Sequence, residues 1–350
     1  MNAKILTTLA VLLTGATSFA TTARLDALGN AVQLIDVQNV FTRPTDMHMI
    51  SEQMVFEFDA VGPATAAQGG FVKNLGDSKL GFFVGRIDAV RGDAGTEKFL
   101  GVENPFTVAY GMKAGDMPWA VALTNSSSDK KTTTQKQSKT SLSGSIVFGD
   151  LTVNANLGLG DTAKGAKDGN NATTADAKYT GTSNSVGAWY VMGDWNIYGD
   201  IATGSEKIEA AAAGNTKDTT TTTKVGFVNS TKKEGTEFFY GVAYQMTNLK
   251  QEPTGAASTK TDTTTLPVLV GIEADAASWL TLRGSVTQNV LLGGTKTDAG
   301  TDSIANNTTV NAGAGLKFNK AVIDMKLSMS TAGNVQSDDI GANAALTYLF

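Results

Sequence analysis

Residues 141–162 read SLSGSIVFGDLTVNANLGLGDT. Leu142, Gly144, Ile146 and Phe148 alternate with Ser141, Ser143, Ser145 and Val147. Beyond Gly149-Asp150, Leu151, Val153, Ala155, Leu157 and Leu159 alternate with Thr152, Asn154, Asn156, Gly158 and Gly160. A period of two gives a strand one apolar face and one small or polar face. A two-residue Gly-Asp connection suits an antiparallel hairpin. The stretch is therefore a hairpin whose two faces meet different environments.

The unit recurs in both directions. Val186, Ala188, Tyr190 and Met192 precede Gly193-Asp194, and Trp195, Ile197, Gly199 and Ile201 return. Phe238 to Met246, Leu266 to Ile272, Leu280 to Val286, Val310 to Phe318 and Ile323 to Met329 repeat the alternation. Strands of about ten residues suffice to cross a bilayer when tilted. Short connections at 114–116, 149–150, 193–194, 232–235, 276–278 and 319–320 alternate with polar loops expected at 125–139, 162–182, 203–223, 248–264 and 292–308. That rhythm predicts an all-β, up-and-down transmembrane barrel with short periplasmic turns and long extracellular loops, placed in a bacterial outer membrane. A soluble sandwich would space its turns more evenly. Trp119, Phe148, Trp195, Trp279, Phe318, Tyr348 and Phe350 lie near the short turns or the C-terminus on the apolar face, as an interfacial girdle would.

Counted back from Phe350, the hairpin rhythm gives thirteen strands to Phe106. Residues 79–88, 69–75 and 53–61 bring the expected count to sixteen, with fourteen as the alternative. Residues 1–20 read as an export signal, with Lys4, an apolar run from Ile5 to Leu13 and the small-x-small site Ser18-Phe19-Ala20. Residues 21–51 lack a strand pattern and carry Arg24, Asp26, Asp36, Arg43, Asp46 and His48. They are expected either to plug the lumen or to pack as a periplasmic tail across its mouth. The barrel then occupies residues 52–350.

The composition limits the chemistry. Cys is absent, so neither a disulfide nor a thiol nucleophile is available. His48 is the single histidine and the one candidate imidazole base, and no Gly-x-Ser-x-Gly elbow accompanies it. No enzyme activity, cofactor or metal site is expected. Asp298, Asp302 and the Asp338-Asp339 pair have no EF-hand spacing. Without Lys4 the net charge is −6, which argues against nucleic acid as a partner.

With the polar face inward, the charges expected to line the pore are Glu57, Lys113, Asp200, Glu273, Arg283, Lys317, Asp324 and Lys326. Four of each sign predict weak ion selectivity if they face water, or mutual pairing if they do not. Residues 91–105 carry Arg91, Asp93, Glu97, Lys98 and Glu103 around apolar Phe99-Leu100. An apolar patch in a polar loop suggests packing, either inward as a constriction or over the rim.

The closing segment, residues 344–350 with Tyr348 and Phe350, resembles the C-terminal signal that outer-membrane proteins present to the barrel assembly machinery. The whole chain is similar to porin-like proteins, including the abundant ones of predatory proteobacteria. Leu28-Gly29-Asn30-Ala31, Asp36 and Asn39-Val40-Phe41-Thr42-Arg43-Pro44 resemble the N-terminal hatch of FadL-type transporters of hydrophobic compounds. That family has Asn-Pro-Ala where this chain has Arg43-Pro44-Thr45, so no ligand contact is carried over. The expected strand count with a small, polar inner face points to passive diffusion of small hydrophilic solutes and ions; the alternatives are a plugged transporter of a hydrophobic compound, suggested by the N-terminal segment, and a structural or adhesive barrel whose long loops meet partners. Outer-membrane lipid is the expected surroundings, and a homotrimer is among the assemblies that porin-like chains imply.

Overall fold

The computed structural model describes residues 21–59, 67–86, 98–167, 173–210, 214–298, 300–303, 308–331 and 340–350. Among these described residues, eighteen strand segments join one sheet. The first are β1 (Gln53–Asp59), β2 (Ala67–Leu75), β3 (Ser78–Val84), β4 (Lys98–Phe99), β5 (Phe106–Ala114) and β6 (Met117–Lys130). Then come β7 (Gln135–Phe148), β8 (Leu151–Lys167), β9 (Thr173–Met192), β10 (Trp195–Ala210), β11 (Gly214–Lys233) and β12 (Thr236–Pro253). The last are β13 (Thr259–Ala277), β14 (Leu280–Thr297), β15 (Gly300–Ser303), β16 (Thr308–Phe318), β17 (Ala321–Thr331) and β18 (Ile340–Leu349). Sixteen form a closed antiparallel barrel. The two short ones stand aside: β4 pairs with β8 and β15 with β14, while β3 meets β5 and β14 meets β16 directly. Closure comes from β1, whose Gln53 is opposite Val72 of β2 and Leu349 of β18. The barrel is of the outer-membrane class, and no described helix is long and apolar enough to cross a membrane.

The faces follow the alternation. On β5, Phe106, Val108, Tyr110 and Met112 are exposed on the outside while Thr107, Ala109 and Gly111 are buried inside. Phe148, Trp195, Trp279, Phe318, Tyr348 and Phe350 are exposed at the level of the short turns. Exposed apolar rings in a band are what lipid contact requires. The tight turns depend on backbone that most residues resist: Gly149 has φ +61°, which glycine adopts without steric cost.

Strand length differs from the sequence expectation. The polar stretches expected as long loops are mostly ladder. β9 and β11 each run for 20 residues and β13 for 19. Thr203 to Ala210 pairs residue by residue with Gly214 to Thr221. Threonine is β-branched and suits a pleated surface, so these runs continue the hairpins beyond the bilayer.

The N-terminal segment lies inside. Helix α1 (Thr22–Ala27) is followed by 3-10 turns at Val37–Phe41 and Pro44–Met49. Thr21 caps α1 by accepting from the Arg24 amide, and Asp36 caps the first 3-10 turn through the Gln38 amide. Two apolar clusters seat the segment. Val37, Val40, Phe41, Met47 and Ile50 pack on Val55, Val72, Phe83, Ala109, Ala120 and Ala122 of the wall. Leu25, Leu28, Ala31 and Leu34 pack on Val228 and Phe239. Burial of each large side chain contributes about 2 kcal/mol.

Candidate functional site

The site is the lumen and the segment that occupies it. Its charged half is built where α1 meets β13, β14 and β17. Arg24 grips Glu273 with two parallel bonds, from Nε at 2.9 Å and Nη2 at 3.0 Å. Such fork-to-fork pairing fixes orientation as well as charge. Arg283 donates from Nε to Glu273 at 2.6 Å and from Nη1 to Asp324 at 2.5 Å. Asp324 also accepts from the Thr21 hydroxyl at 3.1 Å, and Lys326 Nζ donates to Asp26 at 2.8 Å. Gly313 lets the helix approach: a Cβ there would come within 2.6 Å of Ala27 Cβ.

Glu57 of β1 accepts from Thr22 N at 2.9 Å, Thr22 Oγ1 at 2.5 Å, Gln38 Nε2 at 2.7 Å and Gln68 Nε2 at 2.6 Å. Asp36 lies 3.6 Å from Arg24 and accepts from the Thr21 amide nitrogen at 3.1 Å. Burial pushes the Asp36 carboxyl well above the usual range, although Arg24 opposes it. Burial works against the Arg24 charge, but Glu273 raises its pKa above the ordinary value, with Asp36 and Asp324 adding to it.

The opposite side of the segment meets β7 and β9. Arg43 donates to both oxygens of Asp46, at 2.7 and 2.6 Å, and its guanidinium carbon sits over the Trp189 ring. The Thr45 amide donates to Ser145 Oγ at 2.8 Å, and Ser143 Oγ donates to the Phe41 carbonyl at 2.6 Å. His48 Nε2 lies 3.2 Å from the Trp119 carbonyl. Burial lowers its pKa, the Trp119 contact works the other way, and Lys79 and Lys113 depress it further.

The loop before β5 also turns inward. Phe99 sits in a buried cluster with Ala163, Ala166, Ala177, Tyr179 and Ile208. Ser126 Oγ donates to the Glu103 carbonyl and Ser128 Oγ to its carboxylate at 2.8 Å, with Lys130 completing the pair. Ser126 and Ser128 share the inward face of β6 with buried Ala120 and Ala122. Burial opposes the Glu103 charge, yet Lys130 and Ser128 hold its pKa below the ordinary value. Arg91, Asp93 and Glu97 lie outside the described residues, and of Lys98 only the backbone pairing with Lys167 is described.

The eight lumen charges thus separate. Glu57, Glu273, Arg283, Asp324 and Lys326 bond to the N-terminal segment or to one another. Lys317 pairs with Asp275 at 2.7 Å near the short turns, and Lys113 is exposed at that level. Asp200 is across from Lys224 on β11, both partly exposed on the inner wall. Around them Asn154, Asn156, Ser185 and Thr222 keep the wall of β8 to β11 polar and partly exposed. Sequence reasoning missed Ser143, Ser145 and Trp189 as docking positions. Their signal was an inward register opposite a patternless, charged segment. No group of three metal-ligating side chains occurs among the described residues, and Asp298 accepts from the Lys260 amide. At the C-terminus the Tyr348 and Phe350 rings meet edge to face on the lipid side.

No family model matches the sequence, and no curated protein does. Among solved structures, the CymD monoaromatic hydrocarbon channel superposes with TM-score 0.46 at 10% identity, over 96% of this chain and 99% of that one. A bacterial polysaccharide outer membrane secretin gives 0.45 at 8% identity, over 86% and 98%. A porin gives 0.37 at 12% identity, over 85% and 99%.

Proposed function

We propose that the barrel is an outer-membrane channel for small hydrophilic solutes and ions, with its bore narrowed by the N-terminal segment. The polar inner wall of β8 to β11 supports this reading. Asn154, Asn156, Ser185, Asp200, Thr222 and Lys224 stay partly exposed where the segment leaves the wall uncovered. Solutes would pass beside the segment along that lane, sorted by size and only weakly by charge, since Asp200 and Lys224 oppose one another. The inward loop around Phe99 and Glu103 is a second constriction at the extracellular end.

A plugged carrier of hydrophobic compounds needs an apolar pocket beneath the segment. The apolar wall side chains there, Val55, Val72 and Phe83, are covered by the chain's own Val40, Phe41 and Met47. The cleft beside them is mixed, with Gln38, Glu57, Gln68 and Arg86 among its lining. Outer-membrane lipid as surroundings, delivery by the barrel assembly machinery through Tyr348 and Phe350, and a homotrimer belong to the same proposal.

Current through single molecules in a planar bilayer tests it. Steady conductance by the intact protein, nearly indifferent to ion sign, is the expected result. A silent barrel that conducts only once residues 21–51 are removed would replace the channel reading with that of a gated transporter.

A further inference from the structure

The carboxylates around the start of the N-terminal segment outnumber the cations. Asp36, Asp324, Glu57 and Glu273 form one electrostatic group: Asp36 is raised by Glu57 and Asp324, and Arg24 interacts with Glu273, Asp36 and Asp324. Arg24 and Arg283 contact the group, and Arg86 lines the same cleft as Glu57. Four negative charges therefore meet three positive ones. Asp36 and Asp324 are 0% exposed, and a buried carboxylate without a full counter-charge is costly. Burial accordingly pushes the Asp36 carboxyl up despite Arg24.

The backbone nitrogen of Thr21 sits at the deficit. It is 3.1 Å from Asp36 Oδ2, and the hydroxyl of the same residue donates to Asp324 Oδ2 at 3.1 Å. Within an uninterrupted chain that nitrogen is a neutral amide with a single N–H. Independently, Ser18-Phe19-Ala20 is a small-x-small cleavage site immediately before it. Hydrolysis of the Ala20–Thr21 bond by an export endopeptidase consumes one water. The carboxylate leaves with Ala20, and Thr21 keeps an amine that protonates to an ammonium with three N–H donors.

We propose that the chain is cut between Ala20 and Thr21, and that the α-ammonium of Thr21 is a structural cation seated against Asp36 beside Asp324. It supplies the charge that the acidic group lacks and fastens the N-terminal segment to β17. Processing and plugging are then one event: export releases the group that locks the segment in place. The inference does not depend on what passes through the lumen.

The protein purified from outer membranes provides the test. N-terminal sequencing is expected to begin Thr-Thr-Ala-Arg, and another first residue overturns the proposal. Acylation by an amine-reactive succinimidyl ester, followed by mass spectrometry of the N-terminal peptide, then reads the amine. The folded protein is expected to react at least tenfold more slowly than the denatured one. Its amine should also titrate above the ordinary value of about 8. Asp36→Asn should restore reactivity severalfold in protein that still folds. An amine as reactive in the folded as in the denatured protein, or titrating at or below the ordinary value, excludes the ion pair, and that measurement needs no variant. Protection unchanged in folded Asp36→Asn protein means burial without the pair, and also overturns it.

Discussion

The guanidinium carbon of Arg43 lies 4.2 Å from the centroid of the Trp189 ring, while its nitrogens hold Asp46. One side chain thereby ties the last turn of the N-terminal segment to the inner face of β9. Trp189 is held in turn by its indole N–H, which donates to Asn196 at 3.1 Å.

Arg43→Ala removes both the cation–π contact and the partner of a carboxylate that is 1% exposed. The cost to docking of the segment is expected to be about 3 kcal/mol. Amide hydrogen exchange should show faster exchange at residues 37–50 with the barrel ladders unchanged. Equal protection in the variant would remove Arg43 from the docking contacts.

Thr45 and Ser145 bring their side-chain oxygens to 2.9 Å, and the chain has no cysteine to interfere. The pair Thr45→Cys and Ser145→Cys should form a disulfide on oxidation. If the segment is a fixed constriction, conductance is the same oxidised and reduced. Conductance lost on oxidation and regained on reduction would mean that the segment moves with each passage.

Charge at the proposed lane should set what remains of ion preference. Asp200→Asn is expected to shift reversal potentials toward anions and Lys224→Gln toward cations, each by a factor of a few in permeability ratio. Glu57→Gln changes a residue bonded to Thr22, Gln38 and Gln68 and should leave the ratio unchanged if the segment stays docked. Ratios insensitive to both lane variants would place the path elsewhere.

His48 carries a pH signature. Burial holds its folded pKa below the ordinary value, so the unfolded or undocked state binds the proton more readily. Docking strength is therefore full above the ordinary histidine pKa. It falls as pH drops through that value and levels off below the depressed one. Hydrogen exchange of residues 44–50 at decreasing pH should show the loss, and His48→Gln should flatten it.

On the lipid side, Val286 points outward in the middle of the β14 crossing and is 43% exposed. Val286→Arg should cost about 2–4 kcal/mol in refolding into bilayers. Thr203→Arg, in the ladder farther from the short turns, should cost far less. Equal costs would place the bilayer at a different height on the wall.

How much of this was legible in the sequence depended on the range of the signal. Strand faces were readable because alternation is local: Leu142 to Phe148 declares its own orientation. Strand ends were not, because the threonines of 219–223 look polar in isolation and become ladder only opposite Ala202 and Gly204. The N-terminal segment was visible only as a lapse of pattern. Its docking is written in pairs such as Arg24 with Glu273 and Thr21 with Asp324, separated by 249 and 303 residues. The apolar Phe99-Leu100 within a polar loop did carry a readable signal, since burial is the natural fate of such a pair.

The pairing of Gln53 with Leu349 joins the two extremes of the barrel sequence. A wall whose seam uses its first and final strands cannot be sealed until the last of them is delivered. The residues ahead of β1, with Arg24, Asp36 and Arg43, precede both strands of that seam in the chain and are already present when it closes.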